Sequence, residues 1–350
     1  MFYSQSDEVT RVNVRRIVII CLAAATLASV SLFYLRGGRV KNNVAMKVGV
    51  FIYRGDDTFI SNMMNSLRDI VGKFERENGV NFNFSYMDAQ GSQTTQNMQI
   101  DRCISLGYNV LCVNLVDRTS AAYVIDKAME AGVPVIFFNR EPVQADMRKW
   151  GKLFYVGTDA VMNGRMEAQI IVDAYNADPA SLDFNGDGII QYIMIEGEFR
   201  HQDAILRTEG SVQTLLDAGL KVEKLDGGVA NWVRTQAAAL ARDYFTKYGD
   251  QIELIICNND DMALGVLDYV AENGLDFYNV VGIDGTPQGL AAVREGRMLG
   301  TVLINYEGQA ELIFQLTYAT LTGANPHDIM DIPEDRCLRA PLDVVTRERS

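Results

Sequence analysis

The fold class follows from VLCVNLVDRTSAAYVIDKAMEAGVPVIFF, residues 110–138. This stretch begins and ends with short continuous apolar runs, VLCVNL and VPVIFF, which are typical of strands that helices cover on both faces. Between the runs, Ala122, Ile125 and Met129 recur at the spacing of one helix face. A buried strand, a helix and another buried strand form the repeating unit of a parallel sheet, so the stretch predicts an α/β fold.

The same pattern extends on both sides of this stretch. Further strands are predicted at MKVGVFIY (46–53), VNFNFSY (80–86) and LFYVGTD (153–159), which complete a first series. A second series follows, with predicted strands at IIQYIMI (189–195), LKVEKL (220–225), IELIIC (252–257), NVVGID (279–284) and MLGTVLI (298–304). Its predicted helices lie around residues 203–218, 232–246, 260–273 and 286–295. We therefore predict two doubly wound parallel-sheet lobes.

An apolar segment, IVIICLAAATLASVSLFYL, occupies residues 17–35 and has the length of a membrane-spanning helix. An A-x-A pattern at Ala23 and Ala25 lies early in the run, which favours an uncleaved anchor over a cleaved signal. Ile20 stands before Cys21, where a lipid attachment signal needs a small residue. Basic residues flank both ends, so the positive-inside rule does not orient the segment.

Composition excludes two classes of function. With 45 acidic and 32 basic residues the net charge is −13, which argues against a nucleic-acid partner. The two histidines, His201 and His327, are too few and too far apart for a metal or acid–base centre. GxSxG, GxxxxGK[ST], HExxH and GxGxxG motifs are all absent, so we expect no enzyme.

Four cysteines fall in or beside apolar runs of the lobes and show no CxxC spacing: Cys103, Cys112, Cys257 and Cys337. Buried free thiols explain this placement. A disulfide is the alternative if the lobes face an oxidising compartment. The sequence leaves both open.

Ligands of open parallel sheets bind beyond the carboxyl ends of the strands. The polar and aromatic residues that follow the predicted strands are Asp57, Phe59, Asn139, His201, Asp203, Arg207, Trp232, Asn259 and Asp284. Such side chains can saturate hydroxyls that both donate and accept, while the aromatic faces stack on C–H patches. This combination favours a sugar, although each loop Asp or Asn alone could simply cap the next helix.

A second motif, DFNGDGIIQ at residues 183–191, has the spacing of a calcium loop. Its candidate ligands are the side chains of Asp183, Asn185, Asp187 and Gln191 and the backbone carbonyl of Ile189. The twelfth position, where such loops carry a bidentate glutamate, is Met194, so a distant carboxylate would have to complete the site. A plain Asp/Asn/Gly turn is the alternative.

Taken together, the sequence resembles the bacterial glucose/galactose-binding proteins, periplasmic sugar receptors of ABC transporters that also serve chemotaxis. The resemblance runs from residue 46 to about 340. The motifs that carry it, in the family's order, are YRGDDTF, VNLVD, FFNREP, YVGTD, DFNGDGIIQ, GEFRHQDAILR, ELIICNNDDMALG, GIDGTPQGL and GTVL. It implies the type 1 periplasmic-binding-protein fold, a monomeric protein and an extracytoplasmic location.

The resemblance also assigns roles to residues. It implies that Phe59 and Trp232 sandwich a pyranose while the other seven strand-end residues bind its hydroxyls. It implies a structural Ca²⁺ that Glu253 completes. One departure concerns the family's sugar-binding Asn after GTVL: here Ile304 holds that position and Asn305 follows, with its side chain on the opposite side. The exact hexose therefore stays open, and Phe199 and Arg200 replace a Pro-Gly pair at the rim of the cleft.

The resemblance and the strand pattern together predict a first lobe at 46–156 plus 305–335, a second at 157–304 plus 336–350, and crossovers near 157, 304 and 335–341. Residues 1–16 are predicted as a cytoplasmic tail, 17–35 as an anchor or signal and 36–45 as a linker. The predicted function is D-glucose or D-galactose binding for an ABC permease. A membrane-tethered sensor subunit that signals to a chemoreceptor or histidine kinase is the alternative, whereas a repressor would need a helix-turn-helix before residue 46.

Overall fold

The computed structural model describes residues 46–347, which form two α/β lobes. The predicted tail, apolar segment and linker at 1–16, 17–35 and 36–45 lie outside these residues. Within 46–347, no helix combines the length and the apolar character that crossing a bilayer requires.

Residues 46–347 contain twelve strands and ten α-helices. The strands are β1 Met46–Ile52, β2 Phe82–Asp88, β3 Val110–Val113, β4 Val135–Phe138, β5 Leu153–Gly157, β6 Ile190–Glu196, β7 Val222–Val229, β8 Leu254–Cys257, β9 Val280–Asp284, β10 Gly300–Ile304, β11 Cys337–Arg339 and β12 Leu342–Thr346. The helices are α1 Thr58–Asn78, α2 Gln93–Ser105, α3 Ala121–Ala131, α4 Gln144–Met147, α5 Ala160–Ala177, α6 Gln202–Asp217, α7 Arg234–Tyr248, α8 Asp260–Glu272, α9 Pro287–Arg294 and α10 Tyr306–Thr322.

The strands form two six-stranded sheets of matching topology. The first has the order β2-β1-β3-β4-β5-β11 and is parallel throughout. The second has the order β7-β6-β8-β9-β10-β12, and only β12 runs antiparallel. In both sheets the strand order reverses beside the first strand of the series, which is where doubly wound sheets open a ligand-binding crevice. The predicted pair of doubly wound lobes is confirmed.

The chain passes between the sheets three times, after β5, after β10 and between β11 and β12. The prediction that residues 336–350 lie wholly in the second lobe is wrong. β11 pairs with β5 in the first sheet, with Cys337 opposite Tyr155, so the chain does not cross until Ala340 and Pro341. A three-residue strand carries too little pattern to be assigned to a sheet from sequence.

The second lobe depends on close packing of α5 against α6. A Cβ added to Gly164 would lie 2.1 Å from the backbone oxygen of Arg207, and one added to Gly210 would lie 2.7 Å from the Val161 oxygen. Only glycine permits helices to approach so closely. This contact fixes the position of α6, which carries Arg207.

All four cysteines of the described region are free and buried. Burial raises the pKa of the Cys112 thiol to about 12 and that of Cys257 well above its ordinary value. The sequence left open buried free thiols or a disulfide, and the structure has free thiols.

Candidate functional site

A cleft lies between the lobes, beyond the carboxyl ends of the strands, with about 350 Å³ of space that includes its part open to solvent. It is lined by Tyr53, Asp57, Phe59, Asn139, Arg140, His201, Asp203, Arg207, Trp232, Asn259 and Asp284. The structure thus brings together all nine side chains selected from the strand ends. Tyr53 and Arg140 were not predicted, although each lies beside a strand end that was considered.

Each lobe contributes one aromatic wall to the cleft. Phe59 lies in the first turn of α1, is 7% exposed and meets the ring of Tyr306 edge-on at 6.2 Å. Trp232 is 8% exposed and has a left-handed backbone with φ 64°. Its ring lies against Gly197, where an added Cβ would be 2.1 Å from the indole. Gly197 therefore leaves the room that the indole occupies.

In the first lobe, internal hydrogen bonds orient the polar groups. Asp57 caps α1 by accepting from the Ile60 N–H at 2.8 Å, and its other oxygen accepts from the Tyr53 hydroxyl at 2.6 Å. Asn139 has φ 61°, and its Oδ1 accepts from Asn114 Nδ2 at 3.0 Å. The amide NH₂ of Asn139 is thereby left to donate into the cleft.

In the second lobe, Arg207 is the central buried cation. Its side chain donates to the Asn258 carbonyl at 2.7 Å and lies 3.7 Å from the Asp284 carboxylate. Its Nε is buried without a hydrogen-bond partner. Because buried donors are almost always paired, this N–H fits an acceptor oxygen of a ligand.

His201 and Asp203 stand at the start of α6. Burial lowers the pKa of His201 well below its ordinary value, and the charges of Arg140 and Arg207 lower it further. The neutral ring accepts from the Asp203 N–H through Nδ1 at 3.1 Å, so its proton is on Nε2 and available to a hydroxyl acceptor. Burial raises the pKa of Asp203, and nearby Arg207 opposes that rise.

Direct contacts join the two lobes on either side of the cleft. Arg140 pairs with Glu198 at 2.8 Å, while its guanidinium carbon lies 3.7 Å from the centre of the Tyr53 ring. On the other side Thr58 Oγ1 donates to Asp261 at 2.6 Å. The lobes are therefore closed over the cleft in this structure.

Neither of the two residues after GTVL lines the cleft. Ile304 is 2% exposed and belongs to the apolar core. Asn305 is exposed and caps α10 by accepting from the Gly308 N–H at 2.8 Å. Their inclusion among the candidate sugar-binding residues is not supported by this geometry, because Ile304 packs inward and Asn305 uses its oxygen on the helix.

A buried glutamate lies behind the cleft, between α5 and α6. Glu167 is 0% exposed, one of its oxygens accepts from Ser211 Oγ at 2.6 Å, and the other has no hydrogen-bond partner. Burial raises its pKa to about 8, against the opposing effects of the Ser211 hydrogen bond and the charge of Arg207. Glu167 is therefore protonated at neutral pH.

We expect Glu167 to make the fold less stable as pH rises. Between its unfolded pKa of 4.5 and its folded pKa of about 8, the folded chain holds a proton that the unfolded chain has lost. The free energy of unfolding should therefore fall by about 1.4 kcal/mol per pH unit in this window. The measurement is urea denaturation at pH 5.5 and pH 8. The Glu167→Gln variant should be more stable than the parent at pH 8 but not at pH 5.5. The exposed Glu209→Gln on α6 is the control, and equal pH profiles for all three proteins would contradict the expectation.

The loop at residues 183–191 surrounds the buried carboxylate of Glu253. Glu253 is 0% exposed and accepts from the backbone N–H groups of Asn185 at 3.1 Å and Gln191 at 3.0 Å. The Gln191 amide accepts from Asn185 Nδ2 and donates to Asp187, both at 3.1 Å. Glu253 thus lies where the sequence required a distant carboxylate.

The donor set of this loop fits a hard cation. Asp183, Asp187 and Glu253 supply carboxylates, and the other candidates supply amide or carbonyl oxygen, the ligands that Ca²⁺ prefers. Within 46–347, Glu253 has no basic side chain in ion-pairing range, and no three Asp, Glu, His or Cys side chains approach closely enough to hold a metal by themselves. Amide and carbonyl oxygens would therefore have to complete the coordination.

Comparison with known proteins identifies the family. The model of the periplasmic binding protein domain matches residues 48–325, so the chain belongs to the periplasmic binding protein family. A Haemophilus influenzae protein named D-galactose/methyl-galactoside binding periplasmic protein MglB is 34% identical over 276 residues, which are 77% of this chain and 80% of that protein. The family recognised from sequence is confirmed, and it consists of binding proteins rather than enzymes.

Solved structures of similar proteins share the fold. A solute-binding protein of an ABC transporter from Bacillus halodurans, solved with bound myo-inositol, has a TM-score of 0.72 and 26% identity, and covers 88% of this chain and 97% of its own. The Caulobacter myo-inositol binding protein has a TM-score of 0.72 and 25% identity, over 89% of this chain and 96% of its own. The closed two-lobed architecture is thus that of solute-binding proteins.

Proposed function

We propose that this protein binds a hexose of the D-glucose or D-galactose type in the cleft. The observation that carries the proposal is the set of eleven lining residues, drawn from both lobes, that combines two aromatic walls with polar groups. The partnerless Nε of Arg207 supports it, because a sugar oxygen would satisfy that donor. The relative named for D-galactose and methyl-galactoside binding points to the same ligand class.

Binding is non-covalent and favours the closed arrangement of the lobes. Phe59 comes from the first lobe and Trp232 from the second, so a pyranose can touch both rings only when the cleft is closed. Contacts that exist in one state alone shift the population toward that state. The closed form is then what a membrane partner recognises.

The partner we propose is the permease of an ABC transporter, which places the lobes outside the cytoplasmic membrane. Residues 17–35 would hold the otherwise monomeric protein at that membrane, with residues 1–16 on the cytoplasmic side. A protein retained in this way meets its permease in two dimensions, which raises the effective concentration of each for the other.

Calorimetric titration of the full-length chain tests the ligand class. We expect heat of binding with D-galactose or D-glucose, and a weaker response to D-xylose and D-ribose because a pentose leaves part of the polar lining unpaired. Methyl-β-D-galactoside reports whether the anomeric position faces open space. Failure of every one of these sugars to bind would overturn the proposal.

A sensor subunit is the second candidate, favoured by the prediction that residues 17–35 are retained as an uncleaved anchor. Such a protein would report the sugar to a chemoreceptor or histidine kinase without delivering it. Deletion of the gene separates the two roles: loss of radiolabelled sugar uptake supports transport, whereas lost induction or taxis with intact uptake supports sensing.

We propose further that the loop at 183–191 and Glu253 hold a structural Ca²⁺. The residues that would hold the ion are Asp183, Asn185, Asp187, Ile189, Gln191 and Glu253. The ion would offset the negative charge that the buried Glu253 places beside two loop carboxylates, and would tie the loop to the start of β8. None of the six lines the cleft, so the role is stability rather than sugar contact.

Removal of Ca²⁺ should lower the melting temperature of the protein. A ligand that binds only the folded state stabilises by about 2.7 kcal/mol at a concentration one hundred times its Kd. The measurement is thermal unfolding with excess Ca²⁺ and with chelator, on the parent and on Glu253→Gln. The variant should melt at the same temperature in both. If the parent protein melts at the same temperature with and without chelator, the Ca²⁺ proposal is wrong and the hexose proposal still stands.

A further inference from the structure

The Asp284 carboxylate is oriented differently from the other polar groups of the cleft. Asp57, Asn139 and Arg207 each have a side chain held by a hydrogen bond. Asp284 also lines the cleft, but within residues 46–347 no hydrogen bond orients its carboxylate, and the Arg207 guanidinium is 3.7 Å away. The position of this carboxylate therefore depends on the backbone that carries it.

That backbone forms a strained turn. Asp284 has φ 125°, in a region that residues other than glycine rarely occupy, and Gly285 follows with φ 64°. Leu303 packs on the turn, since a Cβ added to Gly285 would lie 2.4 Å from its Cδ1 and 2.9 Å from its Cα. A conformation of this kind persists only where the surrounding structure holds it.

A single buried carboxylate, that of Asp260, holds the turn. Asp260 is 0% exposed and begins α8, and its Oδ2 accepts from the N–H and the hydroxyl of Thr286 at 2.7 and 3.0 Å. Its Oδ1 accepts from the Thr301 hydroxyl at 2.6 Å, and that hydroxyl in turn accepts from the Gly285 N–H at 3.3 Å. Asp260 thus fixes both residues that follow Asp284.

Two glycines leave space for this carboxylate. A Cβ added to Gly289 would lie 2.2 Å from Asp260 Oδ2, and one added to Gly282 would lie 2.8 Å from Oδ1. No Lys or Arg among residues 46–347 forms an ion pair with Asp260, so hydrogen bonds offset the cost of burying it. Because an apolar side chain would pack here at lower cost, the carboxylate is better explained by the conformation that it fixes.

Asp260 does not itself line the cleft. Its neighbour Asn259 caps α8 and is one of the lining residues, whereas Asp260 lies behind it and is not. Asp260 can therefore act on a sugar only through a residue that does line the cleft, and Asp284 is the one whose turn it holds.

We propose that Asp260 is a positioning residue of the sugar site, which aims the Asp284 carboxylate at one hydroxyl of the ligand through its hydrogen bonds to the turn. Without these hydrogen bonds the strained turn relaxes and the carboxylate moves away from that hydroxyl. Asp260 thereby contributes to selectivity between sugars that have this hydroxyl and sugars that lack it. This inference rests on the proposed hexose-binding function and adds a residue to it.

Calorimetry on the full-length chain tests the proposal with D-galactose, D-glucose and the 2-, 3-, 4- and 6-deoxy derivatives of each. D284N should identify the hydroxyl that Asp284 binds, because loss of one charge-assisted hydrogen bond lowers affinity about tenfold or more, and only for sugars that have that hydroxyl. D260N should show the same selective loss, with parental affinity for the deoxy sugar that lacks the hydroxyl. In D260N/D284N the two losses should not multiply.

Variants of Thr301 decide the question if D260N does not fold. Thr301→Val keeps the shape of the side chain but removes the hydroxyl that donates to Asp260, so it should weaken hexose binding about threefold to tenfold with the same selectivity. Thr301→Ser retains a hydroxyl and should restore most of the affinity. Asp276→Asn, at an exposed position in the loop before β9, is the control and should bind every sugar as the parent does.

The outcomes separate this inference from the function on which it rests. If the parent binds a hexose but D260N and T301V bind every sugar as the parent does, the inference is wrong and the hexose function stands. A loss that is equal for all the sugars, or that multiplies with the loss in D284N, would show a purely structural role for Asp260 and would also overturn it. If the parent binds no hexose, both proposals fail.

Discussion

Replacing Arg207 by methionine is expected to lower hexose affinity by about a hundredfold or more and to destabilise the fold by about 3–5 kcal/mol. The variant would leave the Asp284 carboxylate buried without the cation that lies 3.7 Å away, and would free the Asn258 carbonyl from its 2.7 Å hydrogen bond. It would also remove the Nε donor that we assign to the sugar. Calorimetry and urea denaturation measure the two effects.

A double variant keeps this prediction testable if the single variant unfolds. R207M/D284N removes the Asp284 carboxylate together with its cation, so it should recover part of the lost stability without recovering binding. Arg297→Met is the control for stability. It breaks a half-exposed ion pair with Glu295 and should lower the free energy of unfolding by no more than about 1 kcal/mol. Wild-type affinity in the folded double variant would show that Arg207 does not bind the sugar.

Replacing Gly197 by alanine is expected to weaken hexose binding by about tenfold to a hundredfold without a change of any polar group in the cleft. The new Cβ would lie 2.1 Å from the indole of Trp232, so the ring must move out of the wall that it forms. Overpacking of this kind should also destabilise the fold by about 1–3 kcal/mol. Calorimetry with galactose or glucose measures the loss of affinity.

Gly151→Ala is the matched control. No atom lies within 4 Å of the added Cβ there, and the site is outside the cleft. This variant should bind sugar as the parent does. If Gly197→Ala also binds with parental affinity, the Trp232 ring is not a wall of the binding site.

The strand-end rule predicted most of the cleft because parallel sheets bring all their carboxyl ends to one edge. It missed Arg140 because two successive residues after β4 line the cleft, where alternation allows only one. It missed Tyr53 because that residue was assigned to the predicted strand at 46–53, whereas β1 ends at Ile52. Asn139, Trp232 and Asp284 have positive φ values of 61°, 64° and 125°. Side-chain direction at such residues cannot be read from sequence, so their convergence became visible only in the structure.

Two errors in the predicted elements have physical causes. β7 was predicted to end at Leu225 but runs to Val229, because a bulge beside Tyr192 and Ile193 lets the Gly-Gly pair continue the ladder. Glycine pairs are otherwise read as turns. The short β11 was placed in the wrong lobe, since its partner β5 is far away in the sequence.

The two strands β11 and β12 add the last edge to each sheet, β11 beside β5 and β12 beside β10. During synthesis, which proceeds from the amino terminus, neither sheet can be completed until residues 337–346 have emerged. Both cores would therefore be completed late and almost together, the first through the long-range pairing of Cys337 with Tyr155 and the second through the much shorter-range pairing of Leu342 with Ile304. Until then β5 and β10 expose unpaired edges, so the nascent chain stays open to chaperones and to the export machinery.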